Sequence, residues 1–174
     1  MNAPRYRLYG FIIAAVIFVA DQVIKWWVAG PLGLRFEGDS VPVLPIFAFT
    51  RTHNYGVSLG MFSATSPEMR WGLVVLTCAI AIAVTVWMLR ERKLGDILAL
   101  ALVLGGAIGN IVDRSRLGYV LDYADLHIGS FRPFLVFNVA DAAITVGVLI
   151  VLARALFMRE KPPTPQGDQQ ADTQ

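Results

Sequence analysis

The stretch Phe134–Met158, FLVFNVADAAITVGVLIVLARALFM, decides the fold of this chain. Its only charged side chains are Asp141 and Arg154, and a helix of about 20 apolar residues is enough to cross the hydrocarbon core of a bilayer. The run therefore predicts a membrane-spanning helix. Because a carboxylate is costly to bury in such a helix, Asp141 is a candidate functional residue.

The composition extends this interpretation to the whole chain. Of the 174 residues, 56% are hydrophobic and only 16% are charged, whereas a soluble domain carries roughly 25% charged residues. Three further runs are apolar enough to span a membrane: Leu8–Ala29, Trp71–Leu89 and Ile97–Val112. We therefore predict an all-α membrane protein, a bundle of four transmembrane helices.

The remaining segments complete the domain organisation. Residues 1–160 are expected to form a single integral membrane domain with an outer loop at about 30–70. Within that loop, Val41–Thr52 is rich in strand-forming residues and has prolines at edge positions, which predicts a small antiparallel sheet on the membrane surface. The proline-rich polar tail, 161–174, is predicted to be disordered.

Lysine and arginine near the helix ends indicate the orientation. They flank the start of the first helix, the loop between the second and third helices, and the end of the fourth: Arg5, Arg7, Arg90, Arg92, Lys93, Arg154, Arg159 and Lys161. The positive-inside rule therefore places both termini in the cytoplasm. Since these flanks account for the net charge of +2, we expect no nucleic-acid partner.

The first helix carries two opposite charges, Asp21 and Lys25, on one face, since they are four residues apart. A matched structural pair is favoured over direct chemistry, because a salt-bridged carboxylate has a lowered pKa and is a poor proton shuttle.

The third helix combines small and polar residues. Gly105 and Gly109 form a face suited to close helix packing. An amide and an ion pair, Asn110 with Asp113 and Arg114, follow on the same helix. Both a structural polar cluster and a role in positioning substrate remain open for these three residues.

Acidic residues cluster around the start of the fourth helix. From a start at Phe134, Asp141 would lie about 10 Å along the helix, just below the outer interface, on a polar stripe with Asn138 and Thr145. The preceding stretch, Leu117–Asp125, is expected to lie along that interface and contains Asp122. Two buried acids sharing one proton are the working part of an aspartic protease.

Other reactive side chains are isolated in the sequence. His53 and His127 lack metal-ligand spacing, and both are predicted to be surface residues of the outer loops. Cys78 has no second cysteine to pair with. We therefore expect no metal and no cofactor.

Five blocks of sequence then coincide in order. They are Asp21-Gln22-x-x-Lys25, Asn54-x-Gly56, Gly105-Gly106-Ala107-x-Gly109-Asn110-x-x-Asp113-Arg114, Val120-x-Asp122 and Phe137-Asn138-x-Ala140-Asp141. Together they resemble the bacterial lipoprotein signal peptidase family, also called signal peptidase II, over nearly the whole chain. Leu59 is a departure, since phenylalanine is more usual there, and it concerns loop packing rather than chemistry.

The resemblance implies an intramembrane aspartic endopeptidase of the bacterial cytoplasmic (inner) membrane. It would cleave signal peptides from diacylglyceryl-modified prolipoproteins just before the lipidated cysteine, near the periplasmic face, where the β-rich loop would also lie. Membrane lipids are further partners, and the cyclic peptide antibiotic globomycin is an expected inhibitor. We expect a monomer, although a glycine face can serve packing within one chain or between two.

The same resemblance assigns residues. It implies Asp122 and Asp141 as the catalytic pair, and it leaves open which of them carries the proton. Residues matching those that line the family's site are Asn54, Gly56, Asn110, Arg114 and Asn138. Asp21 and Lys25 match the first-helix pair and, with Asp113, are expected to be structural.

Three alternatives stay open at this point. Asp125 could face Asp141 in place of Asp122, although the match of Val120-x-Asp122 favours Asp122. Intramembrane polar residues also build proton-coupled transporters, but this chain has no inverted repeat and its polar residues cluster at one side. A non-catalytic scaffold would leave Asp141 without a purpose.

Overall fold

The structure is a computed structural model that describes residues 3–57, 62–63, 66–129 and 131–157. Four helices form the bundle: α1 (Ala3–Ala29), α2 (Pro67–Arg90), α3 (Leu94–Arg116) and α4 (Val139–Phe157). Each is long and apolar enough to cross a membrane, which confirms the predicted four spans. Leu59 and the predicted tail, 161–174, lie outside the described residues.

The start of α4 differs from the prediction. The helix begins at Val139, so the predicted start at Phe134 is wrong. Phe137 instead pairs with Ala124 in extended conformation, its carbonyl accepting from Ala124 N at 2.7 Å. Asp141 therefore lies in the first turn of α4 and not about 10 Å along it, and Asn138 precedes the helix.

Helix α3 is the centre of the bundle and contacts the other three helices. Half of its apolar window is buried, against about a fifth for the other three helices, whose outer faces remain available to lipid. Gly105 and Gly106 permit the close approach: a Cβ on Gly105 would lie 2.6 Å from the carbonyl oxygen of Ala14, and one on Gly106 would overlap that of Ala140. The predicted glycine face thus packs helices within this chain.

Five strands occur in the described residues. They are β1 (Ser40–Leu44), β2 (Phe47–Asn54), β3 (Gly56–Val57), β4 (Phe62–Ser63) and β5 (Val120–Leu126). Strands β1, β2 and β5 form an antiparallel sheet in that order, while β3 pairs with β4. The predicted sheet is present, but its third strand comes from the stretch predicted to lie along the interface.

Strand β5 joins the sheet to the bundle. It contacts α1 and α3 as well as β2, and all its residues except the last are buried. Tyr123 and Ala124 pack with Val28 and Leu34 in a small apolar core between sheet and helices. The strand is therefore held on several sides, so the position of its side chains is well defined.

One of the two histidines lies in this sheet and the other lies next to it. His53 belongs to β2, and its ring stacks on that of Tyr119 with centroids 3.8 Å apart. His53 therefore lies in the predicted outer loop, within a strand that extends to Asn54, and it is partly buried. His127 follows β5 directly and is partly buried.

Candidate active site

Strand β5 presents its two aspartates in different environments. Asp122 is 1% exposed and accepts hydrogen bonds from Asn138 Nδ2 at 2.6 Å and from Asn54 Nδ2 at 3.0 Å. Asp125, three residues on, accepts from Arg132 Nε at 3.0 Å and from Thr50 Oγ1 at 3.1 Å. Side chains three apart on a strand point to opposite faces. Asp122 therefore faces the start of α4, and Asp125 faces away from it.

The first turn of α4 holds the second carboxylate. Asn138 Oδ1 accepts from Asp141 N at 2.8 Å, and Asp141 Oδ2 lies 3.4 Å from Asn138 N. This reciprocal arrangement has the pattern of a capping box. Because free backbone N–H groups and the helix dipole favour acidic side chains at a helix N-terminus, this turn is a suitable position for Asp141.

Asn138 links the two carboxyl groups. The same side chain that caps α4 beside Asp141 also donates to Asp122 Oδ1. On the other side, Asn110 Nδ2 donates to Asp141 Oδ1 at 2.8 Å. The structure thus brings Asp122 and Asp141 together around one buried amide, with a second amide from α3 fixing Asp141.

Arg114, Gly56 and Asn54 form the adjoining wall. Arg114 Nη2 donates to the carbonyl oxygen of Gly56 at 3.0 Å, and Gly56 N donates to Asn54 Oδ1 at 3.1 Å. Arg114 Nε is buried and has no hydrogen-bond partner among the described residues. The sequence-predicted site residues therefore surround the two aspartates, with one buried donor of Arg114 unused.

The environment changes the acidity of the two strand aspartates in opposite directions. Burial, and next to it the charge of Asp141, raises the pKa of Asp122 to about 8, although hydrogen bonds from Asn54 and Asn138 oppose the rise. Hydrogen bonding from Arg132 lowers the pKa of Asp125. Of the two strand aspartates, Asp122 is therefore the one whose surroundings favour the protonated form, and Asp125 the one whose surroundings favour the carboxylate.

A groove of about 520 Å³ opens beside Asp141. Its lining runs from Asn54 along the loop Phe134–Phe137 to Thr145 on α4 and is largely apolar. This loop was predicted as helix, so its part in the groove was missed. Pro133 gives no warning of this, because a proline restricts only the residue before it and is compatible with a helix that begins directly after it.

Behind the aspartates lies a buried ionic cluster. Lys25 Nζ lies 2.7 Å from Asp21 Oδ2, which confirms the predicted pair, and 2.8 Å from Asp113 Oδ2. The ion-pair partner of Asp113 is thus Lys25 and not Arg114, whose guanidinium is turned to Gly56. Within the described ranges, no three His, Cys, Asp or Glu side chains are grouped as metal ligands.

The sequence and fold of this chain match those of known proteins. The family profile described as Signal peptidase (SPase) II matches residues 13–157. The chain belongs to the signal peptidase II family. It is therefore a peptidase and, with its four spanning helices, a multi-pass membrane protein.

Relatives and solved structures support the assignment to this family. A lipoprotein signal peptidase of Sphingopyxis alaskensis is 54% identical over 156 residues, 90% of each chain. One of Methylocella silvestris is 36% identical over 151 residues, 87% of each chain. A solved bacterial membrane enzyme, determined by the in meso method at 2.3 Å resolution, has a TM-score of 0.74 at 27% identity and covers 95% of this chain and 94% of its own.

Proposed function

We propose that this chain is an intramembrane aspartic endopeptidase that cleaves signal peptides from diacylglyceryl-modified prolipoproteins, just before the lipidated cysteine. Its relatives are named lipoprotein signal peptidases. The observation that carries the proposal is the contact of one buried side chain, Asn138, with both Asp122 and Asp141. The charge of Asp141 also acts on the carboxyl group of Asp122, and two carboxyl groups that interact in this way can share one proton.

In the proposed reaction, Asp141 acts as general base and Asp122 as general acid. Asp141 takes a proton from a water molecule, which attacks the scissile carbonyl carbon while the Asp122 hydroxyl donates a hydrogen bond to the carbonyl oxygen. Transfer of the Asp122 proton to that oxygen gives a neutral tetrahedral diol. Asp141 then returns its proton to the leaving amine as the C–N bond breaks, and Asp122 regains a proton from the diol. No covalent acyl-enzyme forms and no cofactor takes part.

Neighbouring residues hold the substrate and the aspartates. Asn110 and Asn138 fix the Asp141 carboxylate, and Asn54 fixes the carboxyl group of Asp122. The unused Nε of Arg114 is a donor for a substrate carbonyl. The apolar groove beside Asp141 accommodates the signal peptide and the acyl chains of the diacylglyceryl group, because both are largely apolar.

The proposal includes a location and a working form. Both termini lie in the cytoplasm and the sheet lies at the periplasmic face of the bacterial cytoplasmic membrane, as the flanking cations indicate. Cleavage at that face fits a site built where α4 begins and the sheet meets the bundle. The enzyme works as a monomer, and globomycin inhibits it by occupying the groove.

Purified protein in detergent or vesicles, incubated with a diacylglyceryl-modified prolipoprotein, tests this function. We expect release of the signal peptide by wild type and its loss in Asp122→Asn and Asp141→Asn, with all proteins folded. Asp125→Asn is the matched control, since it removes an acid from the same strand but from the opposite face, and it should cleave. Turnover by Asp122→Asn or Asp141→Asn would exclude the dyad, and ion flux without cleavage would support a transporter.

A further inference from the structure

The ionic cluster behind the aspartates is almost completely buried. Asp21, Lys25 and Asp113 are 0%, 5% and 4% exposed. Lys25 Nζ bridges one oxygen of each carboxylate. Gln22 Nε2 adds hydrogen bonds to Asp113 Oδ1 at 3.0 Å and to Asp21 Oδ2 at 3.2 Å. One cation thus holds together two carboxylates from α1 and α3.

Both carboxylates of this cluster also bind backbone next to an active-site aspartate. Asp21 Oδ1 accepts from Ala140 N at 3.1 Å, and Ala140 directly precedes Asp141. Asp113 Oδ2 accepts from Leu121 N at 3.1 Å, and Leu121 directly precedes Asp122. A connection therefore runs from the α4 backbone through Asp21, Lys25 and Asp113 to the β5 backbone.

Stability alone does not account for this arrangement. Desolvating a buried ion pair costs about as much as the pairing returns, and apolar residues of similar volume often serve as well or better. Here the cluster also requires an adjacent glycine, because a Cβ on Gly109 would lie 2.6 Å from Asp21 Oδ2. What charged groups provide, and an apolar core does not, is directed bonding to specific N–H groups.

We propose that Lys25 is a positioning residue for the reaction, which fixes α4 relative to β5 and thereby the separation and orientation of Asp122 and Asp141. The inference rests on the proposed function, because it assigns Lys25 a role in the geometry of that dyad. Lys25 touches neither aspartate of the dyad and acts through Asp21 and Asp113. The pair Asp21 and Lys25 thus has a purpose beyond mutual neutralisation.

The charge of Lys25 adds a second, measurable effect. Burial and the charge of Asp141 raise the pKa of Asp122, and the cation of Lys25 opposes this rise after the hydrogen bonds from Asn54 and Asn138. Arg114 is a further charged group that acts on Asp122. The other charged groups around Lys25 are Asp21 and Asp113, with Arg51 and Arg116 lining the same small cavity. Removing the cation therefore raises the pKa of Asp122, so the fall in activity on the alkaline side moves to higher pH. Replacing a residue with only a packing role would not shift this alkaline limb of the pH profile.

The test compares Lys25→Met with Lys25→Arg, using kcat, KM and the pH profile of kcat/KM for cleavage of a diacylglyceryl-modified prolipoprotein. We expect Lys25→Met to lower kcat at least tenfold with KM within about twofold, since binding in the groove is untouched. Its alkaline limb should move to higher pH. Lys25→Arg should return the alkaline limb to its wild-type position and restore part of kcat. Gly109→Ala should lower kcat without moving the limb, because it displaces Asp21 but keeps every charge.

Lys25→Met leaves two buried carboxylates unpaired, so a second variant guards against misfolding. Lys25→Met/Asp113→Asn keeps the net charge of the cluster, and the amide oxygen of the substituted asparagine can still accept from Leu121 N. Reduced kcat in this folded double variant supports the proposal. Wild-type kcat and pH profile in Lys25→Met or in the double variant, whatever the melting temperature, would overturn it.

Asp122→Asn in the same assay separates the two proposals. If Asp122→Asn is inactive while the Lys25 variants match wild type, only the positioning role fails. If Asp122→Asn cleaves normally, the proposed dyad itself fails.

Discussion

Replacing Asn138 with alanine removes a side chain that bonds both to the Asp122 carboxyl group and to the backbone N–H of Asp141. The lost bond to Asp122 Oδ1 is 2.6 Å long and buried. Because Asp122 becomes a carboxylate as it gives up its proton in the proposed reaction, the bond is then one to a charged group, which contributes about 1.5–3 kcal/mol. If this bond is fully formed in the transition state, its loss lowers kcat by about 10- to 150-fold. Because the same bond opposes the rise in the pKa of Asp122, the alkaline limb of kcat/KM should also move to higher pH.

Asn138→Ser provides the matched control. Serine keeps an oxygen that can accept from Asp141 N, whereas alanine also removes this cap, which is worth about 1 kcal/mol. Alanine should therefore melt a few degrees below serine, while the two variants lose similar amounts of kcat in the prolipoprotein cleavage assay. Wild-type kcat in Asn138→Ser, or a kcat that follows melting temperature across the two variants, would refute this account of the amide.

Four further predictions concern stability and binding. Since burial raises the pKa of Asp122 from 3.8 to about 8, its ionisation destabilises the fold as the pH rises through that window, so Asp122→Asn should gain stability relative to wild type towards pH 8. Asp125, whose pKa is lowered, should show the opposite: Asp125→Asn loses most stability near neutral pH and least in acid, and melting curves across pH that shift in parallel would contradict both signs. Gly106→Ala should lower the melting temperature because its Cβ meets the Ala140 carbonyl, whereas Gly72→Ala, with no atom within 4 Å, should not; equal melting temperatures would refute the packing argument. Leu135→Glu places a charge on the apolar groove wall and should raise KM for lipidated substrate by about 10-fold or more at similar kcat, so an unchanged KM would place the substrate elsewhere.

Composition was enough to predict the four spans, because the hydrocarbon core demands long apolar helices and little else has that pattern. It was not enough to place the start of α4. Phe134–Phe137 is as apolar as the helix that follows, and the same residues suit a groove wall. What decides is the pairing of Phe137 with Ala124, a contact between segments that no local pattern reports.

The site shows the same division between local and tertiary information. The spacing of Asp21 and Lys25 predicted their ion pair because i and i+4 side chains are neighbours on any helix. Asp113 on α3 is the third member of this cluster. Its ion-pair partner is Lys25, whereas the sequence had suggested Arg114. Strand β5 was missed because the stretch was expected only to lie along the membrane interface, whereas it pairs with β2 and buries both of its aspartates.

The two aspartates reside on different kinds of structure, one on a sheet strand and the other on a membrane helix. The strand pairs with β2, which lies far earlier in the chain, and the helix is the last of the four to emerge during synthesis. If Asp122 and Asp141 form the proposed dyad, neither half can hydrolyse a peptide bond alone. On that proposal, a newly made chain has no protease activity until α4, the last of the four helices, has inserted and packed against the strand.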